Sequence, residues 1–187
     1  MTPAGVLDLL LDANRLKVMP RAGWLLRGIA QAESVAAHSF GVAFLCLLLA
    51  EFVQEPLDRS RLLTIALLHD LPESRITDIP HPAIRYFGPE TKRNGEEQAL
   101  TEMLTDLPFA QAYHDLWRDF EDSRTPEGRL VRDADRLELL IQAYVYERST
   151  GNRLLGEFWE KTDEDFFTFP IARQLFSLLR QRREEKE

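Results

Sequence analysis

A single cysteine, Cys46, stands among 187 residues, so no internal disulfide can form. Set inside an apolar helical pattern, it reads as a small buried hydrophobe and fits a reducing compartment. No apolar run reaches the roughly 18 residues that a membrane-spanning helix requires; even Val42 to Ala50 stops at Glu51. Met1 to Asp12 lacks a basic region followed by an apolar core and a cleavage site, so it does not read as a secretory signal. The expected location is cytoplasmic, with no membrane partner. Positive charge is also short: 23 Lys and Arg stand against 31 Asp and Glu, a formal net charge of -8, and there is no long basic block. That excludes a protein whose main task is gripping duplex nucleic acid through its phosphates. A small phosphorylated ligand held through a metal stays compatible, because one local cation outweighs a diffuse acidic field. Neither a repeat period nor sustained strand alternation is present, and the expected fold class is all-α.

What is present is a globular composition, 44% hydrophobic and 29% charged, in a length suited to one good core. The expectation is a single domain over 1–187. Leu7, Leu10 and Leu11 recur at helical spacing within Thr2 to Leu16, with Asp8 and Asp12 opposite. Lys17 to Leu25 is a loop marked by Pro20 and Gly23, and it carries Arg21 and Trp24 with Arg27 just beyond. Ser34 is suited to cap a helix from Val35 to about Val53. A turn around Pro56 leads to a helix over Arg59 to Asp70, which buries Leu62, Ile65, Ala66 and His69. Ile79 to Gly95, rich in Pro and Gly, is expected to be an irregular connection; its Lys92 and Arg93 are candidates for meeting an anionic substrate. Helices follow at Glu96 to Leu107, Phe109 to Glu121, Pro126 to about Arg148 and Ile171 to Arg183, the last with apolar surface that suggests a partner. The Pro126 helix buries Leu130, Val131, Leu137, Leu140 and Ile141. A charged tail, Glu184 to Glu187, ends the chain.

The centre of the pattern is Ala66 to Asp78, where an apolar helix ends in His69-Asp70, then Glu73 and Asp78. Carboxylates taken out of water need pairing, protonation or a metal. His38 falls in step with Val42, Leu45 and Leu49, and Asp135 with Val131 and Leu139, so both face inward as His69 does; Asp133 is offset and faces elsewhere. Two neutral imidazoles and two carboxylates sum to a ligand charge that cancels a divalent cation. Mixed N and O donors select weakly among Mn, Fe, Co, Ni and Zn, and Mg is also compatible. Such an ion generates a nucleophile from water and polarises a phosphoryl oxygen. Glu73 and Asp78 are then candidates for proton transfer. Pro72 has no N–H, so the helix must bend or stop beside the His-Asp pair.

His38, His69-Asp70 and Asp135 resemble the H…HD…D pattern of the HD-domain metal-dependent phosphohydrolases. Arg21-Ala22-Gly23-Trp24, Glu33-Ser34-Val35-Ala36-Ala37-His38-Ser39, His69-Asp70-Leu71-Pro72-Glu73 with Asp78, and Asp135 followed by Tyr144-Val145-Tyr146-Glu147 are similar to its 5'-deoxynucleotidase group, the YfbR- and HDDC2-like proteins. The similarity runs from about Val18 to Glu147. It implies a helical HD bundle with a divalent metal held between core helices by His38, His69, Asp70 and Asp135. It implies Glu73 and Asp78 in proton transfer or water positioning, and Trp24 with Arg21 or Arg27 shaping the sugar and phosphate pocket. The implied partners are a small nucleotide and a second copy of the chain, and the implied reaction is attack of metal-bound water on a deoxynucleoside 5'-monophosphate. Pro72 departs from the pattern of the group. The alternatives are an HD hydrolase acting on a nucleoside triphosphate, alarmone or phosphodiester, and a non-catalytic, metal-stabilised binding module.

Overall fold

The structure, a computed structural model, describes residues 3–185. Among these residues the elements are α1 (Pro3–Asn14), α2 (Ala22–Leu25), α3 (Val35–Leu49), α4 (Arg59–Leu68), α5 (Glu73–Ile76), α6 (His81–Phe87), α7 (Pro89–Met103), α8 (Ala110–Asp122), α9 (Pro126–Thr150), α10 (Gly156–Glu160) and α11 (Pro170–Glu184), with three short 3-10 turns. No strand occurs among them, and an isolated bridge joins Pro20 to Ser34. The fold is all-α, as expected. The expected helix start at Thr2 and the tail residues Lys186 and Glu187 lie outside the described residues. Among those described, no helix is long and apolar enough to cross a membrane. The chain divides into two compact units, one of residues up to Phe40 with Leu67–Asp119, the other of Gly41–Ala66 with residues from Phe120 onward.

The first unit closes around Leu16, Val35, Leu68, Leu71, Leu100 and Trp117, with Met103, Leu104 and Leu107. Its α1 is turned the other way from expectation. Leu7, Leu10 and Leu11 are exposed and Asp12 is buried, while Val6, Leu9 and Ala13 pack on the core. The helical spacing of leucines marks one apolar face, but Val6, Leu9 and Ala13 form a second, and on that side Arg75 offers buried Asp12 the ion pair, at 2.7 Å, that a charge out of water needs. The expected irregular stretch, Ile79 to Gly95, is also corrected: it forms α6 and the first half of α7. Pro82 and Pro89 sit in the first turns of these helices, where a missing N–H costs nothing and the fixed φ starts a helix. Gly88, at φ 85°, makes the corner between them.

The second unit is built on α9, against which α11 packs. Thr125 Oγ1 accepts from the Gly128 amide to start α9, and Gly151 ends it in the left-handed conformation. Asp133 is buried and accepts from the Thr168 and Phe169 amides at 3.0 and 2.8 Å, holding the chain just before α11. Glu147 grips Arg183 of α11 at 2.7 and 3.0 Å. Ile141 was expected on the buried side of α9 and is 38% exposed. The helix instead buries Asp133 and Glu138 along with Leu130, Val131, Ala134 and Leu137, so its inward arc is wider than one apolar stripe.

Candidate metal centre

The first unit delivers His38 from within α3, and His69 and Asp70 from the turn that ends α4. The amide of Val35 donates to the Met19 carbonyl at 2.9 Å and that of Arg21 to the Glu33 carbonyl at 3.0 Å, which ties the Arg21 loop to the start of α3. Ser34 Oγ accepts from the Ala37 amide, capping α3 as expected and setting His38 in its second turn. At the end of α4, Pro72 has no amide to donate, and the Leu68 carbonyl accepts from Leu71 instead at 3.1 Å. The helix therefore stops at Leu68 and presents His69 and Asp70 in the turn. Pro72 then stands at the N-terminus of α5, so it starts a new turn with Glu73 rather than displacing it.

His38 and His69 are buried. Their Nε2 atoms lie 3.5 Å apart. Asp70 Oδ2 stands 3.2 Å from His69 Nε2 and 3.6 Å from His38 Nε2. Donors bound about 2.1 Å from one ion are separated by about 3.0 Å at right angles and about 3.4 Å at tetrahedral angles, so the three atoms fit the edges of one coordination sphere. The donor set, two imidazoles and a carboxylate, suits a divalent ion. Arg21 Nη1 lies 3.7 Å from the same Asp70 oxygen. Burial works to raise the Asp70 carboxyl, but His69, His38 and Arg21 outweigh it and hold it well below the ordinary value. It is therefore an anion across the neutral range, as a metal ligand must be.

Glu73 is buried. Burial first, then the Asp70 and Asp78 carboxylates, push it well above its ordinary value, against Arg21 and Lys92. Two neighbouring carboxyls are thus shifted in opposite directions, Asp70 by the cations around it and Glu73 by burial and the carboxylates around it. Asp78 Oδ2 accepts from the Ala22 amide at 2.6 Å, bracing the Arg21 loop. Trp24 is buried, and its indole N–H donates to Glu33 Oε1 at 2.9 Å. Of the two arginines flanking it, Arg27 turns back to the Gly23 carbonyl at 2.8 Å, and Arg21 is the one beside Asp70. Lys92 lies on α7, mostly buried and ion-paired with Glu96. Burial lowers its affinity for a proton, but Glu96, then Glu73 and Asp70, raise it.

In the second unit, Asp135 is half-buried on α9. Burial, then the Asp135 carboxylate, raise the Cys46 thiol far above its ordinary value, so that thiol stays protonated and inert. Sequence reasoning passed over Asp12, Arg75 and the side chain of Glu33. The only signal was negative: Asp12 and Glu33 are acids adjoining apolar segments, with partners 63 and 9 residues away.

The chain belongs to the HD domain family, whose model matches residues 13–167. It is similar to the 5'-deoxynucleotidase HDDC2 of Danio rerio, 33% identical over 172 residues that cover 90% of this chain and 84% of that protein. It is also similar to the 5'-deoxynucleotidase hdd1 of Schizosaccharomyces pombe, 34% identical over 153 residues covering 78% of this chain and 74% of that one. Among solved structures, a conserved hypothetical protein from Pyrococcus furiosus matches with a TM-score of 0.79 and 41% identity, over 96% of this chain and 99% of that one.

Proposed function

We propose that the chain is a metal-dependent phosphomonoesterase that hydrolyses deoxynucleoside 5'-monophosphates to deoxynucleoside and phosphate. The observation that carries this reading is Asp70 Oδ2, set 3.2 Å and 3.6 Å from two imidazole nitrogens and 3.7 Å from an arginine. That geometry supports a cation for phosphate beside a donor set for a divalent metal. The likeness to the 5'-deoxynucleotidases HDDC2 and hdd1 supports the substrate class.

His38, His69, Asp70 and Asp135 would hold the ion, which when bound supplies Lewis acidity toward phosphate and a more acidic water. Arg21 meets the phosphate dianion and orients it. Glu73 in its protonated form hands a proton to the departing 5' oxygen, so that the P–O bond breaks to an alcohol rather than an alkoxide. Asp78 keeps the Arg21 loop in place while its second oxygen is available to water or sugar, and buried Trp24 shapes the sugar pocket from behind that loop. The HD model's span over residues of both units supports one working domain over 1–187.

The chain pairs with a second copy and works in the cytoplasm. An apolar groove of about 510 Å³ in the second unit, lined by Leu48, Ile141, Tyr144, Val145, Leu175 and Leu178 among others, supports the pairing. The unpaired thiol Cys46 supports the compartment. Sedimentation of wild type and Ile141→Glu tests the pairing, with a dimer expected only for the former.

The deciding experiment strips the protein of metal, adds back Mn, Co, Fe, Ni, Zn or Mg, and measures phosphate release from ribo- and deoxynucleoside mono- and triphosphates. Phosphate from deoxynucleoside monophosphates is expected. Release from triphosphates alone, or none with any ion, would overturn the assignment.

A further inference from the structure

We propose that Arg75, clamped to Asp12 of α1 and Glu102 of α7, is a positioning residue that fixes the one-turn helix carrying Glu73. The proposal rests on the hydrolase reading for the role of Glu73, and on geometry alone for the clamp.

The helix α5 has four residues and follows a proline. A single turn has no stability of its own, because nucleation costs more than one turn's hydrogen bonds return. Its far end is worse placed: Thr77 has φ 70° and ψ 160°, a region that side chains with branched β carbons rarely adopt. Nothing in residues 73–77 explains why they hold this shape, so contacts from outside must hold it.

Buried Ser74 meets Met103 Sδ at 3.6 Å, but the charged contacts converge on one side chain, Arg75. Arg75 Nε and Nη2 donate to Asp12 Oδ2 at 2.9 and 2.7 Å, and Nη1 donates to Glu102 Oε2 at 3.1 Å. One planar guanidinium thereby ties α5 to two longer helices, and the forked geometry is one that lysine cannot reproduce. Asp12 is buried with side-chain exposure of 10%, whereas Glu102 is 55% exposed, so the Asp12 arm carries most of the restraint. Arg15 holds the other Asp12 oxygen at 3.2 Å. The orientation of α1 agrees: three leucines face solvent while an aspartate turns inward to meet Arg75. Both sides of α1 carry apolar residues, Val6, Leu9 and Ala13 inward and Leu7, Leu10 and Leu11 outward, and the Asp12–Arg75 pair lies on the inward one. The clamp belongs neither to the H…HD…D motif nor to the substrate pocket, and acts two residues along the backbone from the carboxyl it positions.

The test compares wild type with Arg75→Met, Arg75→Lys, Asp12→Asn and Glu102→Gln in the full chain. For each, kcat and KM on a deoxynucleoside monophosphate, metal content, and amide hydrogen exchange across residues 73–78 are measured. Arg75→Met and Asp12→Asn are expected to lower kcat at least tenfold with KM within twofold and metal content unchanged. Their amides in 73–78 should exchange at least tenfold faster while those of α9 do not change. Arg75→Lys keeps the charge and folds if the charge suffices; it should show an intermediate loss, and Glu102→Gln less than twofold. A kcat for Arg75→Met within twofold of wild type overturns the proposal, as does a loss matched by equal loss of metal. If wild type itself turns over no deoxynucleotide, the hydrolase reading fails, and the exchange data still decide the clamp: unchanged exchange across 73–78 refutes it.

Discussion

Replacing Asp70 by Asn removes one negative charge at nearly constant volume, so cavity effects drop out and the change reads the electrostatics of the centre. The lost oxygen stands 3.2 Å from His69, 3.6 Å from His38 and 3.7 Å from Arg21. Structural zinc in four-ligand zinc-finger peptides binds with about 10–16 kcal/mol, and on that scale one ligand is worth about 3 kcal/mol, roughly a hundredfold in Kd. Calorimetric titration of the stripped protein with Mn or Co should therefore show Kd weakened at least a hundredfold in Asp70→Asn. Phosphate release at an ion concentration that saturates wild type should fall with it. The metal-free proteins provide a second reading. The Asp70 carboxyl is held below its ordinary value when folded, so its stabilising effect is present above the unfolded value and is lost on acidification. The stability difference between wild type and Asp70→Asn should shrink as the pH falls below about 3.9. A variant that keeps its ion within threefold of the wild-type Kd and turns over normally would refute the assignment of Asp70 as a ligand.

Glu73→Gln should keep its metal and lose most of kcat, about a hundredfold, as expected for removal of a general acid; an unchanged kcat removes Glu73 from the mechanism. Because the Glu73 carboxyl is raised in the fold, its ionisation costs stability, and wild type loses stability as the pH rises from the unfolded value of about 4.3. Melting of the metal-free proteins should show Glu73→Gln gaining on wild type as the pH rises from 4 to 8; a constant difference would contradict the raised value. Trp24→Phe deletes the indole N–H that Glu33 accepts at 2.9 Å, which should cost about 1–2 kcal/mol by denaturant titration and shift the ratio of deoxy to ribo turnover. An unshifted ratio makes Trp24 packing alone. A Cβ on Gly41 would meet Glu138 Cγ and Oε1 at 2.8 Å, so Gly41→Ala should destabilise by about 1–3 kcal/mol, and an unchanged Tm would show that the Glu138 side chain moves aside freely.

The sequence by itself determined the fold class, the approximate span of the long helices and the inward setting of His38 and His69. Helical periodicity reports these directly, because a residue in step with an apolar stripe shares its side of the helix. Proline misled over Ile79 to Gly95, since the same residue that ends a helix also starts one, and only the packing of α6 and α7 chose between the two. Periodicity also misplaced α1, whose inward side combines Val6, Leu9 and Ala13 with the Asp12–Arg75 pair. Which of Arg21 and Arg27 stands beside Asp70 was likewise tertiary: both flank Trp24, but the turn after α4 brings Asp70 to Arg21. What sequence spacing determines is which residues share a face. What tertiary structure alone decides is whether a partner of opposite charge waits across from it, because such partners lie tens of residues away along the chain.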